Sequence, residues 1–309
     1  MVERRLVAVR GLVQGVGFRP YVRGLAATHG LRGQVWNDCS GLMADLEGEG
    51  ESLDCFLRAM RTQPPPLAVI ESITFEEAPP AHFADLTFAS SVSHGALRAE
   101  VAPDAATCDA CVAELFDPAN RRNRHPFISC TQCGPRFTIM RAIPYDRART
   151  TMAGFPMCPT CRAEYSDPSD RRFHAQPIAC QGCGPTLDFR RSGATSSAQR
   201  DEALTLAVAA IARGEIVAVK GLGGFHLCCD ALDEAAVLRL RKRKRREARP
   251  LAIIVRDLNA AGKLAEIGSE ESTLLRSVAR PIVLLRARKD SPLAPSVAPG
   301  LPTIGIMLA

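Results

Sequence analysis

Eight cysteines between residues 108 and 183 set the tightest limit on what this chain can fold into. They form four Cys-x-x-Cys pairs, Cys108/Cys111, Cys130/Cys133, Cys158/Cys161 and Cys180/Cys183. The second half repeats the first at an offset of fifty residues, and Ala113, Glu114, Asp117, Pro118, Arg121, Arg122, Ile128, Gly134 and Pro135 recur as Ala163, Glu164, Asp167, Pro168, Arg171, Arg172, Ile178, Gly184 and Pro185. One knuckle aims two thiolates at a tetrahedral ion, and a second about twenty residues later closes a four-sulfur site, so two zinc ions are the expected cofactors. Pairing within each repeat is the simplest assignment, although spacing alone leaves an interleaved one open. Cys-Gly-Pro after each second knuckle supplies a tight turn.

Disulfides are the rival reading of these cysteines. The N-terminus carries no basic segment followed by an apolar run and a small-residue cleavage site, which argues against an oxidising compartment and for a cytoplasmic location. His125 and His174 fall opposite Ala175 and Arg124 in the repeat, so they are expected as solvated or outer histidines rather than ligands. No apolar run approaches the ~20 residues that a membrane span needs. The net charge of +6 is local: Arg239 to Arg249 holds eight basic residues and one acid, leaving the remainder close to neutral.

Over the first ninety residues the periodicity predicts strands at 4–11, 32–38, 41–47 and 67–77 and helices at 20–29 and 51–61. The order βαββαβ is that of a ferredoxin-like sandwich, helices on an antiparallel sheet. Between the first strand and helix lies Gly11-Leu12-Val13-Gln14-Gly15-Val16-Gly17-Phe18-Arg19. Closely spaced glycines let successive N–H groups converge on an anion in front of a helix N-terminus, and an arginine at the mouth can fork onto phosphoryl oxygens. An ordinary strand-to-helix turn is the bland alternative.

Residues 190–197 have the composition of a linker. Beyond them a helix capped by Asp201 is expected to run to Ile211, with a strand at 216–219 leading into Lys220-Gly221-Leu222-Gly223-Gly224-Phe225 and a short strand ending at Cys228-Cys229-Asp230. A helix from about Asp233 bearing the basic run, strands at 251–255 and 281–285 and a helix at 270–279 complete an α/β layer. Lys220 with its glycines, and the run Arg241 to Arg246, are placed to meet anions; an RNA-binding surface is the alternative use of that run.

The segment Val13-Gln14-Gly15-Val16-Gly17-Phe18-Arg19, followed by Gly33-Gln34-Val35-Trp36-Asn37, resembles the acylphosphatase family. That resemblance implies phosphate binding by Gln14, Gly15, Val16, Gly17, Phe18 and Arg19, with Arg19 and Asn37 as the catalytic pair, Asn37 positioning the attacking water. An acyl phosphate is already reactive, so binding and aiming suffice and no titrating base is required. Lys220-Gly221-Leu222-Gly223-Gly224-Phe225-His226-Leu227 and Lys244 to Ala252 resemble the opening of a YrdC/Sua5-like domain, which implies ATP or adenylate binding by Lys220, Lys244, Arg246 and Arg249.

An acylphosphatase-like domain (1–90), a double four-cysteine zinc-finger domain (104–187) and a YrdC-like domain (200–309), in that order, resemble the HypF family of [NiFe]-hydrogenase maturation carbamoyltransferases. The resemblance implies carbamoyl phosphate as substrate, ATP and Mg2+ for a carbamoyl adenylate, and the C-terminal cysteine of HypE as acceptor. In that family the chain continues through the rest of the YrdC-like domain into a Kae1-like transferase domain. The present stretch is therefore expected to support phosphate release and zinc binding without completing transfer. A zinc-ribbon RNA-binding module with an idle first domain is the competing expectation.

Overall fold

The computed structural model describes residues 2–96, 98–221 and 223–309. Packing divides the chain into two compact units, Met1–Pro185 and Thr186–Ala309. The stretches expected as separate first and second domains thus share the first unit.

That unit opens with β1 (Val2–Leu12), α1 (Phe18–Thr28), β2 (Arg32–Asp38), β3 (Gly41–Glu49), α2 (Gly50–Thr62) and β4 (Val69–Ala78), the expected order. A further strand, β5 (Leu86–Phe88), pairs parallel to β2 and gives the sheet order β4-β1-β3-β2-β5. Strand β1 alternates in burial, with Val7 and Val9 fully enclosed. Both helices are amphipathic, and Phe18, Val22 and Ala26 of α1 and Leu53, Phe56 and Met60 of α2 close one core against those strand residues. Beyond β5 the chain follows the edge of β2: the N–H groups of Ala89 and Val92 donate to the carbonyls of Val35 and Asn37 at 3.1 and 2.9 Å.

The cysteine repeat folds as two copies of one unit. Each has a helix starting just after the first cysteine of its first knuckle, α3 (Asp109–Phe116) and α4 (Pro159–Ser166), with Cys108 and Cys158 at the caps. The copies hold each other reciprocally. Arg122 Nε donates to the Ala179 carbonyl and Arg172 Nε to the Ser129 carbonyl, fifty residues apart in both members, at 2.9 and 3.1 Å.

In the second unit, β6 (Asp188–Phe189) and β7 (Ala198–Gln199) pair, so the expected linker is the loop of a short hairpin. Helix α5 (Arg200–Ala212) begins one residue before Asp201, which sits in the first turn where its charge favours the helix dipole instead of capping it. Strands β8 (Val217–Lys220) and β9 (Phe225–Cys228) form a hairpin. Then follow α6 (Glu234–Lys244), β10 (Ala252–Val255), the unforeseen short α7 (Leu258–Gly262), α8 (Ser269–Arg276), β11 (Val283–Arg286) and β12 (Thr303–Leu308). Strand β12 lies between β10, to which it is parallel, and β11, to which it is antiparallel. Among the described residues no helix is long and apolar enough to cross a membrane.

Candidate functional site

The loop from Val13 to Gly17 brings β1 into α1. Gly15 and Gly17 take φ of 76° and 75°, left-handed values that side chains rarely adopt. A Cβ on Gly15 would also press within 3.3 Å of Arg136. The curl ends at the N-terminus of α1, where unpaired N–H groups and the helix dipole favour an anion. Phe18 is buried in the sandwich core, so the start of the helix is pinned.

Arg19, second in the helix, is turned into the same cleft and held on two sides. Its guanidinium pairs with Asp146 at 2.7 Å and donates to Ser91 Oγ at 3.4 Å. Asn37 comes from β2 and is 2 % exposed, and its Oδ1 is enclosed without a protein partner. An unsatisfied enclosed amide oxygen costs about 1–3 kcal/mol, a penalty that a bound water or ligand donor relieves. Arg19, Asn37, Gly15, Gly17 and Phe18 thus line one cleft. The Gln14 side chain is committed elsewhere: its amide donates to the carbonyls of Asp38 and Gly41, both at 2.7 Å, and accepts from the Tyr145 N–H at 2.8 Å. What Gln14 can offer an anion is its main chain.

The opposite wall belongs to the cysteine repeat. Thr131, Arg136, Tyr145 and His174 to Pro177 line the cleft. Sequence separation hid this wall: Asp146 and His174 lie more than a hundred residues from the cradle and carry no motif. Arg136, 2 % exposed, donates to the carbonyls of Cys130, Thr131, Cys133 and Pro135 at 3.1, 2.8, 2.9 and 3.0 Å, and also to that of Gly15. One guanidinium therefore ties a cysteine knuckle to the phosphate loop. His174 is half-buried and belongs to neither cysteine cluster. It faces the cleft, and burial first, then the charge of Arg19, pushes its pKa down to about 4. Its partner in the earlier expectation, His125, is enclosed with Nε2 unpartnered and is likewise held near 4 by burial and the charges of Arg122, Arg121 and Arg172.

The cysteines gather within each repeat, Cys108, Cys111, Cys130 and Cys133 in one cluster and Cys158, Cys161, Cys180 and Cys183 in the other, which removes the interleaved alternative. Sulfur separations run 3.8, 3.7 and 3.5 Å in the first cluster and 3.8, 3.7 and 3.6 Å in the second. A tetrahedron with bonds of about 2.3 Å has edges of about 3.8 Å, so the donor set fits zinc, while a disulfide would need about 2 Å. The outer partners cross over. Arg121 and Arg122 reach Cys161 Sγ and Glu164, and Arg171 and Arg172 reach Cys111 Sγ and Glu114. Burial alone would raise the carboxyls of Glu114 and Glu164, but the arginines hold both below the ordinary range.

In the second unit Lys244 ends α6, and the turn after it is organised by Arg241. That buried side chain donates to the carbonyls of Arg246, Glu247 and Arg249 at 2.9, 3.1 and 3.1 Å. Arg246 in turn donates to the Pro250 carbonyl at 2.8 Å, so the structure groups Lys244, Arg246 and Arg249 on one braced turn. Lys220, at the end of β8, sets its ammonium 5.7 Å above the Phe225 ring. Leu222 of the glycine-rich stretch lies outside the described residues.

Three family profiles match the chain: Acylphosphatase over residues 6–88, HypF finger over 107–140 and 157–189, and the Sua5/YciO/YrdC profile described as telomere recombination over 209–309. The carbamoyltransferase HypF of Synechocystis sp. is 49 % identical over 309 residues, which is 100 % of this chain and 40 % of that protein. An acylphosphatase of Thermotoga petrophila is 37 % identical over 82 residues, 26 % of this chain and 90 % of that protein. A crystal structure of full-length HypF in the phosphate- and nucleotide-bound form has a TM-score of 0.93 at 44 % identity, covering 100 % of this chain and 40 % of that one. The chain spans about two fifths of the length of these full-length relatives.

Proposed function

Since the chain belongs to the HypF family, matching its amino-terminal acylphosphatase, finger and YrdC-like region, we propose that its first unit hydrolyses carbamoyl phosphate to phosphate and carbamate. The observation that carries this reading is the meeting of Arg19 and the partnerless Oδ1 of Asn37 over the glycine cradle. The phosphoryl end would sit on the main-chain N–H groups from Gln14 to Phe18 before α1, with Arg19 forked onto its oxygens. Asn37 Oδ1 would accept a hydrogen from the water that attacks phosphorus. The carbamate leaves with the electrons of the broken P–O bond, and charge developing on the phosphoryl group meets donors already in place. Zinc, held by the two cysteine clusters, would supply rigidity to the wall and no open coordination position.

Phosphate release from carbamoyl phosphate by the purified chain tests this. Asn37→Ala is expected to lower kcat about 10²-fold with KM within about threefold, because the side chain aims water and does not hold the anion. Equal release by wild type and variant would reject the assignment. Because no base titrates and His174 is neutral well above its pKa of about 4, kcat/KM is expected to be flat from about pH 6 to 8. A sigmoid centred near pH 6.5 would implicate an imidazole in proton transfer.

In the same reading the second unit contributes ATP binding with Mg2+ through Lys220, Lys244, Arg246 and Arg249, toward a carbamoyl adenylate. Transfer to the C-terminal cysteine of HypE is the step that full-length relatives would complete. The cytoplasm is the compartment that suits reduced, zinc-ready thiols.

A further inference from the structure

Position 174 is one at which the two copies of the cysteine unit differ in side chain on equivalent backbone. Arg124 and His174 occupy equivalent places, with φ of 55° and 54°. Their N–H groups donate to equivalent carbonyls, Leu115 and Tyr165, at 2.8 and 2.9 Å. The backbone of the metal unit accepts an arginine there as well as a histidine, so folding the unit does not itself require an imidazole; within the unit its ring meets Tyr165 and Phe173, where the first copy has Leu115 and Asn123. What lies outside is the cleft that His174 lines with Arg19 and Asn37.

The ring is fixed in place. It stacks on Tyr165 with centroids 4.8 Å apart, tilts against Phe88 at 4.1 Å and meets the edge of Phe173 at 4.8 Å. Its Nδ1 is enclosed and has no protein partner. A neutral imidazole offers one donor and one acceptor. With the phosphoryl group on the cradle, the acyl group of a bound acyl phosphate is the part left to face the wall. A carbamoyl group carries an –NH2 donor on the acyl carbon where an acetyl group carries a methyl.

We propose that His174 is a specificity-determining residue that reads the carbamoyl amide through its unpartnered imidazole nitrogen, favouring carbamoyl phosphate over alkyl acyl phosphates. The idea rests on the phosphate-release reading above. An alkyl group would leave the nitrogen unpartnered, which is how sites built for a hydrogen bond reject analogues that lack it.

The test compares carbamoyl phosphate with acetyl phosphate on the full chain, zinc content and thermal unfolding being checked for each variant. His174→Phe, which keeps a ring between Tyr165 and Phe88, is expected to lower the carbamoyl-over-acetyl ratio of kcat/KM at least tenfold. His174→Asn, which tolerates the left-handed backbone and retains a hydrogen-bonding side chain, is expected to recover part of that ratio. A ratio unchanged within twofold in His174→Phe, including the case in which both substrates decline together, overturns the proposal. Wild-type release from neither compound sinks the underlying reading and the proposal with it. Wild-type release from acetyl phosphate alone, abolished by Arg19→Ala, leaves acyl-phosphate hydrolysis standing and removes the role given to His174.

Discussion

Replacing Arg19 by alanine is expected to reduce kcat/KM for carbamoyl phosphate about 10³-fold, the largest loss from any single change in the cleft. The Arg19 guanidinium stands at the start of the helix that ends the glycine loop, whereas that of Arg136 is taken up by main-chain carbonyls, and removing a donor aimed at developing charge costs about 2.7–4 kcal/mol. Two effects add here. The substrate loses a charge-assisted fork, and Asp146, which pairs with Arg19 at 2.7 Å, is left as an anion beside the phosphate. Arg19→Lys is expected to fall between the two, since an ammonium supplies charge without the planar fork. Kinetics with Arg19→Ala/Asp146→Ala separate the contributions: the double variant should recover part of the activity if repulsion from Asp146 matters, and no recovery would assign the whole loss to the fork.

The second large effect concerns the crossed arginines. Arg172→Met is expected to weaken metal binding at the cluster of Cys108, Cys111, Cys130 and Cys133, in the other copy, and Arg122→Met to weaken it at Cys158, Cys161, Cys180 and Cys183. Arg172 is 4 % exposed in its side chain and pairs with Glu114, one turn of helix from Cys111, so its loss removes the buried one of the two arginines that balance this carboxylate and the four thiolates and leaves Arg171 alone. Losing such an outer partner lowers metal affinity about 10–100-fold. Chelator competition followed by thiol alkylation reads the outcome. Alkylation should concentrate on Cys108, Cys111, Cys130 and Cys133 in Arg172→Met; labelling of the variant's own copy instead would show that the coupling is not crossed.

How much of this was legible in the sequence follows from how far apart the cooperating residues lie. The cradle from Gly15 to Arg19 is a local device, in which glycine conformation, helix N-terminus and arginine fall within five residues, so its chemistry could be read directly. The zinc ligands were legible for the same reason, with each knuckle spanning four residues. The recurrence of Arg121 and Arg122 as Arg171 and Arg172 was visible, but its meaning was not. A duplicated sequence has the same appearance whether an arginine serves its own copy or the other, and only packing decides. Strand β5 is three residues long, Leu86-Thr87-Phe88, and its alternation is too short to be told from a loop. Asp146, Arg136 and His174 reach the cleft through tertiary contacts with partners as distant as Gly15, Arg19 and Phe88, and no local pattern marks such residues. The α/β expectation for the second unit succeeded in its main elements because periodicity is local, and erred at Asp201 and at the hairpin of β6 and β7, where one or two residues decide a boundary.

The clasp made by Arg136 has a bearing on how the molecule comes into being. Synthesis proceeds from the amino terminus, so the sandwich with its glycine loop and Asn37 emerges first, while the wall ending at Pro177 follows roughly 140 residues later, on the order of 10 s at ribosomal speeds. During that interval the nascent phosphate loop has neither the guanidinium that will hold the Gly15 carbonyl nor the aspartate that will steady Arg19. The Gly15 carbonyl thus receives its guanidinium partner only after the second knuckle of the first cysteine unit, whose carbonyls also hold Arg136, has been synthesised.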